Sequence, residues 1–284
     1  MDAFFDIYLL EAALNGVLLG GVLALLALGL NLIFGVIDVV WICYAELIMI
    51  GMYTIWWLHV PQGLSLWIAF PAAVLLVGVL GAGLHHYIIR PVLAAEPTNQ
   101  LLVTGGVLFL LQALATVIFG IDFRNLGVRM PGFSVARLLA FCAALAGMVG
   151  LYLFLTRTYT GAAIRAVSQD REIMALMGVN PNRVYLVTSA IGGALAGLAA
   201  CLLVLQYDIH PAIGLSFGPL TFLICVMGGL GNLIGGFVAS FIFAQFISVG
   251  GFLFHLEWGY VIAFGFFIAM MFWRPQGILV QKSR

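Results

Sequence analysis

Long apolar runs separated by short polar connections dominate the chain. An α-helix needs about 20 mainly apolar residues to cross the hydrocarbon core of a membrane. Such runs lie near residues 9–34, 39–57, 65–89, 101–120, 137–155, 185–205, 213–230, 234–253 and 258–273. Two of them, 39–57 and 213–230, are less regular and either span or re-enter, because one contains Glu46 and the other is short and interrupted by glycine. The pattern predicts an all-α polytopic membrane protein with about eight to nine transmembrane or re-entrant helices.

The composition agrees with this class. Of the 284 residues, 64% are apolar and only 8% are charged, whereas an average soluble domain has about 25% charged residues. We therefore treat 1–284 as a single transmembrane domain. The 11 basic and 11 acidic residues balance and form no basic stripe, so nucleic acid is not an expected partner. The cysteines lie inside apolar runs without metal-ligand spacing, and no metal site is expected.

Basic residues are divided unevenly between the two sides of the predicted bundle. With nine crossings, one side carries eight of the 11 basic residues, namely Arg90, Arg157, Arg165, Arg171, Arg183, Arg274, Lys282 and Arg284. The other side carries Arg124, Arg129 and Arg137. Because cytoplasmic loops hold the excess of lysine and arginine, we expect the N-terminus outside and the C-terminus in the cytoplasm.

The longest polar stretch, residues 156–184, predicts a short cytoplasmic helix. Ser168 is the expected N-cap, which places Asp170 and Glu172 in the first turn, where the helix dipole favours anions. Gly178 is placed as a C-terminal cap. The predicted apolar face consists of Ile173, Met174 and Met177.

A two-turn helix is marginal alone in water, so this one must pack on something. Either the membrane surface and the protein's own helix ends cover it, or a groove on a cytoplasmic partner does. The chain has no Gly-x-x-x-x-Gly-Lys-Ser/Thr motif, and its only lysine is Lys282. An ATPase that drives this chain must therefore be a separate subunit. The residues expected to contact it are Arg165, Gln169, Asp170, Glu172, Ile173, Met174, Met177 and Gly178.

Polar and aromatic residues inside the apolar runs are candidates for a translocation path. They are Trp41, Tyr44, Glu46, Gln112 and Asn232. A charge at the bilayer centre costs about 2.5–3.5 kcal/mol on insertion scales, so Glu46 either faces a wet cavity, locks a re-entrant helix or makes a structural hydrogen bond. The two aromatic residues also fit an interfacial belt, and most neutral polar residues of this kind bond across helices.

Glycine patterns predict close helix packing and one interruption. Gly16 with Gly20, and Gly193 with Gly197, have the four-residue spacing that lets helices approach closely. The run Met227–Gly236 is too rich in glycine for a plain helix and predicts a break or tight turn between two half-length helices. That break either lines a transporter cavity or packs closely at a cytoplasmic turn.

Five blocks along the chain share one family pattern. They are Gly161–Val184, which contains RAVSQDREIMALMGV, Asn15–Val40, Arg90–Leu93 (RPVL), Val226–Gly236 (VMGGLGNLIGG) and Arg274–Leu279 (RPQGIL). Together they resemble bacterial ABC transporter permeases of the branched-chain (hydrophobic) amino acid uptake family, of the LivH type.

The resemblance implies a permease subunit of an ATP-driven importer in a bacterial inner membrane. Its partners would be a second homologous permease subunit, two cytoplasmic ABC ATPase subunits, a periplasmic solute-binding protein and membrane lipid. ATP and Mg would reside on the ATPase subunits, so this chain is expected to hold no cofactor and no catalytic residue. The loops Tyr207–Pro211 and Asp122–Gly132 would face the binding protein.

The chain departs from the family pattern in one segment. The family usually has roughly Asn-Phe-Ala-His-Gly-Glu at the start of the second span, whereas residues 41–46 read Trp-Ile-Cys-Tyr-Ala-Glu, so only Glu46 is kept. The resemblance implies that the solutes are branched-chain or hydrophobic amino acids or related small carboxylate or amide compounds. The departure favours a bulkier or less polar solute, such as an aromatic acid.

Two other functions remain open on the residues alone. A stand-alone secondary transporter or channel would need its own coupling site, for which Glu46 is the best candidate. A membrane scaffold without transport is disfavoured by the acid and the glycine breaks inside the apolar runs. The leading hypothesis is the importer permease.

Overall fold

The computed structural model describes residues 2–127, 133–275 and 277–278. Three of the basic residues counted above, Arg129, Lys282 and Arg284, lie outside the described residues, as does the 128–132 part of the predicted outer loop.

Twelve α-helices and one π-helical turn form most of the described chain. They are α1 (Asp2–Ile37), α2 (Tyr44–His59), α3 (Leu66–Leu84), the π turn (His85–Ile89), α4 (Arg90–Val92), α5 (Pro97–Phe119), α6 (Phe133–Arg157), α7 (Tyr159–Gln169), α8 (Arg171–Leu176), α9 (Pro181–Leu203), α10 (Ile213–Gly228), α11 (Leu233–Leu253) and α12 (Leu256–Trp273). Each of the predicted apolar runs coincides with a helix, which confirms the all-α polytopic class.

The helices differ in whether they are long enough to cross a membrane. Among the described residues, five are long and apolar enough: α1, α3 with its continuation to Val92, α5, α9 and α11. Helix α6 together with α7 makes a sixth if that bent pair counts as one span. Helices α2 and α10 have 16 residues each, which gives a length of about 24 Å. These two short helices correspond to the two runs whose spanning is uncertain from sequence.

The ends of the long helices fall into two groups. We call the end that contains α7 and α8 the coupling end. We call the opposite end the bridge end, because Arg124 and Ile209 form an isolated antiparallel β-bridge there.

Helix α1 forms the centre of the bundle. It packs against α6, α9, α10 and α11, and every residue of the stretch 22–28 is buried. The peripheral helices instead expose large apolar side chains, such as Phe109, Val117 and Phe272, which are 67%, 83% and 88% exposed. An apolar exterior of this kind suits contact with lipid tails or with other membrane helices.

Glycines bring α3 and α9 into backbone contact. A Cβ added at Gly193 would lie 2.6 Å from the carbonyl oxygen of Val77 and 3.2 Å from the Cα of Gly81. A Cβ added at Gly197 would lie 2.9 Å from the Cα of Val74. The predicted close approach at this glycine pair is confirmed, because no larger residue fits between the two backbones.

The glycine-rich run Met227–Gly236 forms a tight turn between α10 and α11. Gly229 and Gly231 have φ values of 95° and 81°, a backbone region that residues with a Cβ rarely adopt. The Asn232 side chain then caps α11 by accepting a hydrogen bond from the amide of Gly235 at 2.9 Å. Turn residues and a cap therefore end one helix and start the next.

The same turn is packed tightly against its neighbours. A Cβ at Gly228 would collide with the backbone of Gly235. From α1, the Oδ1 atom of Asn31 accepts a hydrogen bond from the amide of Gly231 at 3.1 Å. Of the two alternatives for this run, close packing at a turn is therefore the one that the structure confirms.

We expect Gly193→Ala to destabilise the bundle. The new methyl group must displace the Val77 carbonyl, and overpacking of this kind costs about 1–3 kcal/mol. Unfolding by SDS titration in mixed micelles measures the change. The control is Gly83→Ala on α3, where a Cβ meets nothing within 4 Å. Equal stability of the two variants would contradict the close contact between α3 and α9.

Candidate functional site

The two 16-residue helices meet at their first turns. A Cβ added at Gly218 of α10 would lie 3.2 Å from the Cβ of Ala45 in α2. Glu46 is the next residue of α2, and its carboxyl group lies against Gly214 in the first turn of α10. Two short helices whose N-termini meet inside a bundle resemble the discontinuous helices that build substrate sites in many transporters.

The Glu46 carboxyl group is completely buried at this junction. A Cβ added at Gly214 would lie 2.5 Å from its Oε1 atom and 2.7 Å from its Oε2 atom. Neither carboxyl oxygen has a hydrogen-bond partner among the described residues. The helix dipole makes the first turn of α10 a favourable place for a carboxylate. The contact requires glycine at 214, because any side chain there would occupy the position of the carboxyl group.

The aromatic residues before Glu46 are buried as well. Trp41 and Tyr44 are each 1% exposed, and the Tyr44 hydroxyl donates a hydrogen bond to the carbonyl of Gly192 in α9 at 3.1 Å. The interfacial-belt alternative for these two residues is therefore wrong, because both side chains fill the interior of the bundle. No cluster of metal ligands occurs in the part of the chain that the structure describes.

The other two path candidates lie apart from this junction. Gln112 is a half-buried residue in the middle of α5, and its carbonyl accepts a hydrogen bond from the Thr116 hydroxyl at 2.9 Å. Asn232 lies in the turn between α10 and α11 at the coupling end. The structure thus brings together Trp41, Tyr44 and Glu46, and it does not bring Gln112 or Asn232 to them.

The two loops expected to face a binding protein meet at the bridge end. The amide of Arg124 donates to the carbonyl of Ile209 at 2.9 Å, and the reverse bond is 2.7 Å long. The Arg124 guanidinium lies over the Trp56 ring at 4.2 Å and donates to the carbonyl of Phe119. The side chain of Arg124 is therefore committed to contacts within the bundle, and it fixes the loops to α2 and α5.

A cleft of about 320 Å³ lies beside this bridge, between α1, α10, α11 and α12. Small-molecule sites typically have volumes of about 300–1,000 Å³. The polar residues that line the cleft are Tyr207, Asp208, His210, Ser216 and Tyr260. Its apolar residues are Leu19, Leu23, Phe123, Ile213, Phe217, Leu220 and Ile247.

His210 also lines the cleft. Burial lowers the pKa of its imidazole below the ordinary value, and the nearby Asp208 carboxylate acts in the opposite direction without reversing the shift. The lining thus holds one acidic side chain, Asp208, and no lysine or arginine among the described residues. None of the five path candidates lines it, and reasoning from single apolar runs could not find it, because its residues come from runs far apart in sequence.

At the coupling end, α6 and α7 meet at an angle of 84°. Thr158 makes the bend, because its hydroxyl donates to the carbonyl of Phe154 at 2.7 Å and accepts from the amide of Gly161 at 3.0 Å. A Cβ at Gly161 would collide with the backbone of α6. Helix α7 therefore turns sharply away from the axis of α6, held by a cap and a required glycine.

Helix α8 begins two residues later than the predicted N-cap implies. Asp170 is the N-cap, and its Oδ1 atom accepts hydrogen bonds from the amides of Glu172 at 3.0 Å and Ile173 at 2.9 Å. Ser168, the predicted N-cap, lies inside α7 and donates to the carbonyl of Arg165 at 2.8 Å. That prediction is wrong because the carboxylate, which accepts two amide hydrogen bonds, provides the better cap.

The predicted end of this short helix is confirmed. Gly178 has a φ of 86°. The amide of Val179 donates to the carbonyl of Met174 at 3.0 Å, the bond that defines a Schellman ending. Asn180 then caps α9 by accepting from the amide of Asn182 at 3.1 Å.

All but one of the coupling residues predicted from sequence are exposed. Arg165, Gln169, Asp170 and Glu172 are exposed, and Ile173 and Met177 are 56% and 75% exposed. Met174 instead packs against the core. Leu176 of the same helix is 88% exposed and is not among the residues predicted from sequence. Leu176 lies three residues after Ile173, and an apolar residue at that helical spacing is expected on any apolar helix face. Its sequence signal for a binding role was therefore weak.

The long apolar helices are those of a multi-pass membrane protein, and comparison with known proteins identifies the family. The family described as the branched-chain amino acid transport system permease component matches residues 12–271. The chain belongs to this family. It is a multi-pass membrane protein of the ABC transporter permease class, of the LivH type.

Individual relatives match along almost the whole chain. The permease BraD of Pseudomonas aeruginosa is 28% identical, with 95% of each chain covered. LivH of Escherichia coli K12 is 26% identical with 96% of each covered, and LivM of the same organism is 24% identical with 90% of this chain and 67% of LivM covered. Each carries the name of a high-affinity branched-chain amino acid transport permease. The solved structure of PsaBC from Streptococcus pneumoniae with a Fab has a TM-score of 0.54 at 17% identity, covers 97% of each chain and shows the same fold.

We expect the contact between Glu46 and Gly214 to appear as an energetic coupling. Gly214→Ala should destabilise the wild-type chain, because its methyl group meets the buried carboxyl group, and it should cost less in a Glu46→Ala background. The difference should be at least about 0.5 kcal/mol, as for residues in direct contact. SDS-titration unfolding of the four variants measures it.

Gly265→Ala on α12 provides the matched control, since a Cβ there meets nothing within 4 Å. Its effect should be the same with and without the Glu46 carboxyl group. Additive effects of Gly214→Ala and Glu46→Ala would rule out the junction as described.

Proposed function

We propose that this chain is the transmembrane permease subunit of an ATP-driven importer for branched-chain or other hydrophobic amino acids, or for related small carboxylate or amide solutes. The observation that carries the proposal is the exposed surface of α8. Ile173, Leu176 and Met177 are more than half exposed on a helix that is capped and held at both ends. A chain without a nucleotide-binding motif needs such a surface if a separate ATPase drives it.

The proposed assembly contains four kinds of subunit in a bacterial inner membrane. A second homologous permease would pair with this chain, two ABC ATPase subunits would bind α8 in the cytoplasm, and a periplasmic solute-binding protein would dock at the bridge end. The relatives named LivH and LivM support a pair of homologous permeases, since both match this chain. Catalysis of ATP hydrolysis would belong to the partner subunits, where ATP and Mg bind.

The geometry supports a mechanism in which α8 moves as a rigid handle. ATP binding would close the two ATPase subunits and carry α8 with them. Helices α7 and α8 both pack on α9, and α7 also contacts α1 and α6. The displacement would therefore pass into the central helices and switch the bundle between two packed arrangements, as in other two-state transitions.

Two single substitutions on α8 should each weaken the contact with the ATPase. Glu172→Lys and Leu176→Ser should each reduce the amount of ATPase subunit that copurifies with the chain, because one removes an exposed anion and the other an exposed apolar side chain. Burial of a leucine contributes about 1.5–3 kcal/mol, so Leu176→Ser should lower the affinity by at least about tenfold. Quantitative pull-down from detergent extracts measures the loss.

The matched control is Glu96→Lys, a charge reversal at an exposed acid between α4 and α5 on the same end of the bundle. It should leave ATPase binding unchanged. Full retention of the ATPase after deletion of 170–177 would defeat the assignment of α8. Accumulation of solute by the purified chain alone, without nucleotide, would favour a stand-alone secondary transporter.

The proposed orientation can be tested with single cysteines. In a Cys142→Ser background, Phe123→Cys should react with a membrane-impermeant maleimide in spheroplasts, because Phe123 is 72% exposed at the bridge end. Tyr159→Cys, at a position 86% exposed at the coupling end, should react only after permeabilisation. The opposite pattern would place the coupling end outside the cell.

A further inference from the structure

The cleft at the bridge end has the features of a solute site. Its deep part is apolar, since Leu23, Ile213 and Phe217 are at most 6% exposed. Its rim is polar, with Asp208 and Ser216 exposed. A solute that fits this lining has a compact apolar body and one polar group that stays near the rim.

The rim can satisfy a hydrogen-bond donor more readily than an anion. Asp208 supplies a carboxylate, whereas the hydroxyl groups of Ser216 and Tyr260 can either donate or accept hydrogen bonds and so do not distinguish a donor from an anion. The guanidinium of Arg124, the nearest arginine in the sequence to the cleft residue Phe123, is held over the Trp56 ring by a contact inside the bundle. A free carboxylate would therefore find no lysine or arginine side chain among the described residues of the lining.

The first turn of α10 does not supply the missing positive site. The amide of Ile213 already donates to the carbonyl of His210 at 3.1 Å, and that of Leu215 donates to Ala212 at 3.1 Å. Gly214, which lies between Ile213 and Leu215, faces the buried Glu46 carboxyl group from the other side of the same turn. The turn that lines the cleft at Ile213 is thus already occupied by an acidic group on its buried side.

We infer that this cleft binds the ammonium or amide N–H group of a hydrophobic solute at Asp208, with its apolar body against Phe217 and Leu220. The inference rests on the proposed transport function and assigns residues to its extracytoplasmic entry site. Recognition is through the amino group and the apolar body, and the carboxylate of an amino acid points toward solvent. The cleft therefore discriminates against acids that lack a donor group.

Protection of a cysteine in the cleft tests this assignment. Ser216→Cys in a Cys142→Ser background is placed in nanodiscs as the full chain, without nucleotide or partner proteins. Its reaction with a membrane-impermeant maleimide is followed at constant pH with three probes. Leucine and 3-methylbutylamine should slow the reaction by about threefold at twice their dissociation constant, whereas 4-methylpentanoate should not slow it. Leu215→Cys, the neighbouring residue outside the lining, should be unaffected by all three probes.

A second pair of variants separates the role of Asp208 from a general effect of charge. In the Ser216→Cys chain, Asp208→Asn should raise the amine concentration needed for half protection by up to about fivefold, as for an exposed ion pair. Asp122→Asn removes an exposed acid from the neighbouring loop, outside the lining, and should change nothing. Equal protection by the amine and the acid would overturn the inference, and so would protection that is insensitive to Asp208→Asn or a thiol at 216 that never reacts.

The assay also keeps this inference separate from the proposed function. Protection is measured on the chain alone, so it does not require an ATPase. A chain that binds its ATPase subunit but shows no amine-selective protection would overturn only the cleft assignment. A chain that shows the protection but binds no ATPase would overturn only the importer proposal.

Discussion

The hydrocarbon core of a membrane offers no hydrogen-bond partners, so each interruption of a membrane helix must be satisfied inside the protein. The structure meets this requirement with polar side chains from other helices. The Thr104 hydroxyl donates to the carbonyl of Val40 at 3.2 Å, just before α2, and Asn31 accepts from Gly231 at the turn after α10. These partners allow α2 and α10 to begin or end inside the bundle. Their short lengths then let their first turns meet at Glu46 and Gly214.

This meeting point lies on a continuous chain of contacts between the two proposed sites. Helix α8 packs on α9, the carbonyl of Gly192 in α9 accepts from Tyr44, and Glu46 lies two residues beyond Tyr44 in the first turn of α2. Contiguity alone is weak evidence for coupling between sites. The stronger argument is the packing, because Gly192, Gly193 and Gly214 leave no room for small continuous adjustments. Close-packed interfaces of this kind move between discrete arrangements.

Sequence patterns predicted the helices well because apolar runs and glycine spacing are local signals. The class of fold, the positions of all the apolar runs and the close helix approach at Gly193 and Gly197 followed from them, although the partner helix α3 did not. Local reasoning failed where two residues competed for one role, as when Asp170 rather than Ser168 capped α8. It also failed where a site depends on tertiary contacts. The pairing of Glu46 with Gly214 joins residues 168 positions apart in numbering (214 − 46), and no periodicity relates them.

The structure changes how the departure from the family pattern at residues 41–46 is interpreted. From sequence alone, the aromatic residues there favoured a bulkier solute. In the structure Trp41 and Tyr44 are buried, and the Tyr44 hydroxyl is bonded to the backbone of α9. In this arrangement the hydrogen bond from Tyr44 links α2 to α9. If the proposed cleft is the entry site, residues of the 207–216 region select the solute, and the aromatic residues at 41–46 need not reflect the size of the solute.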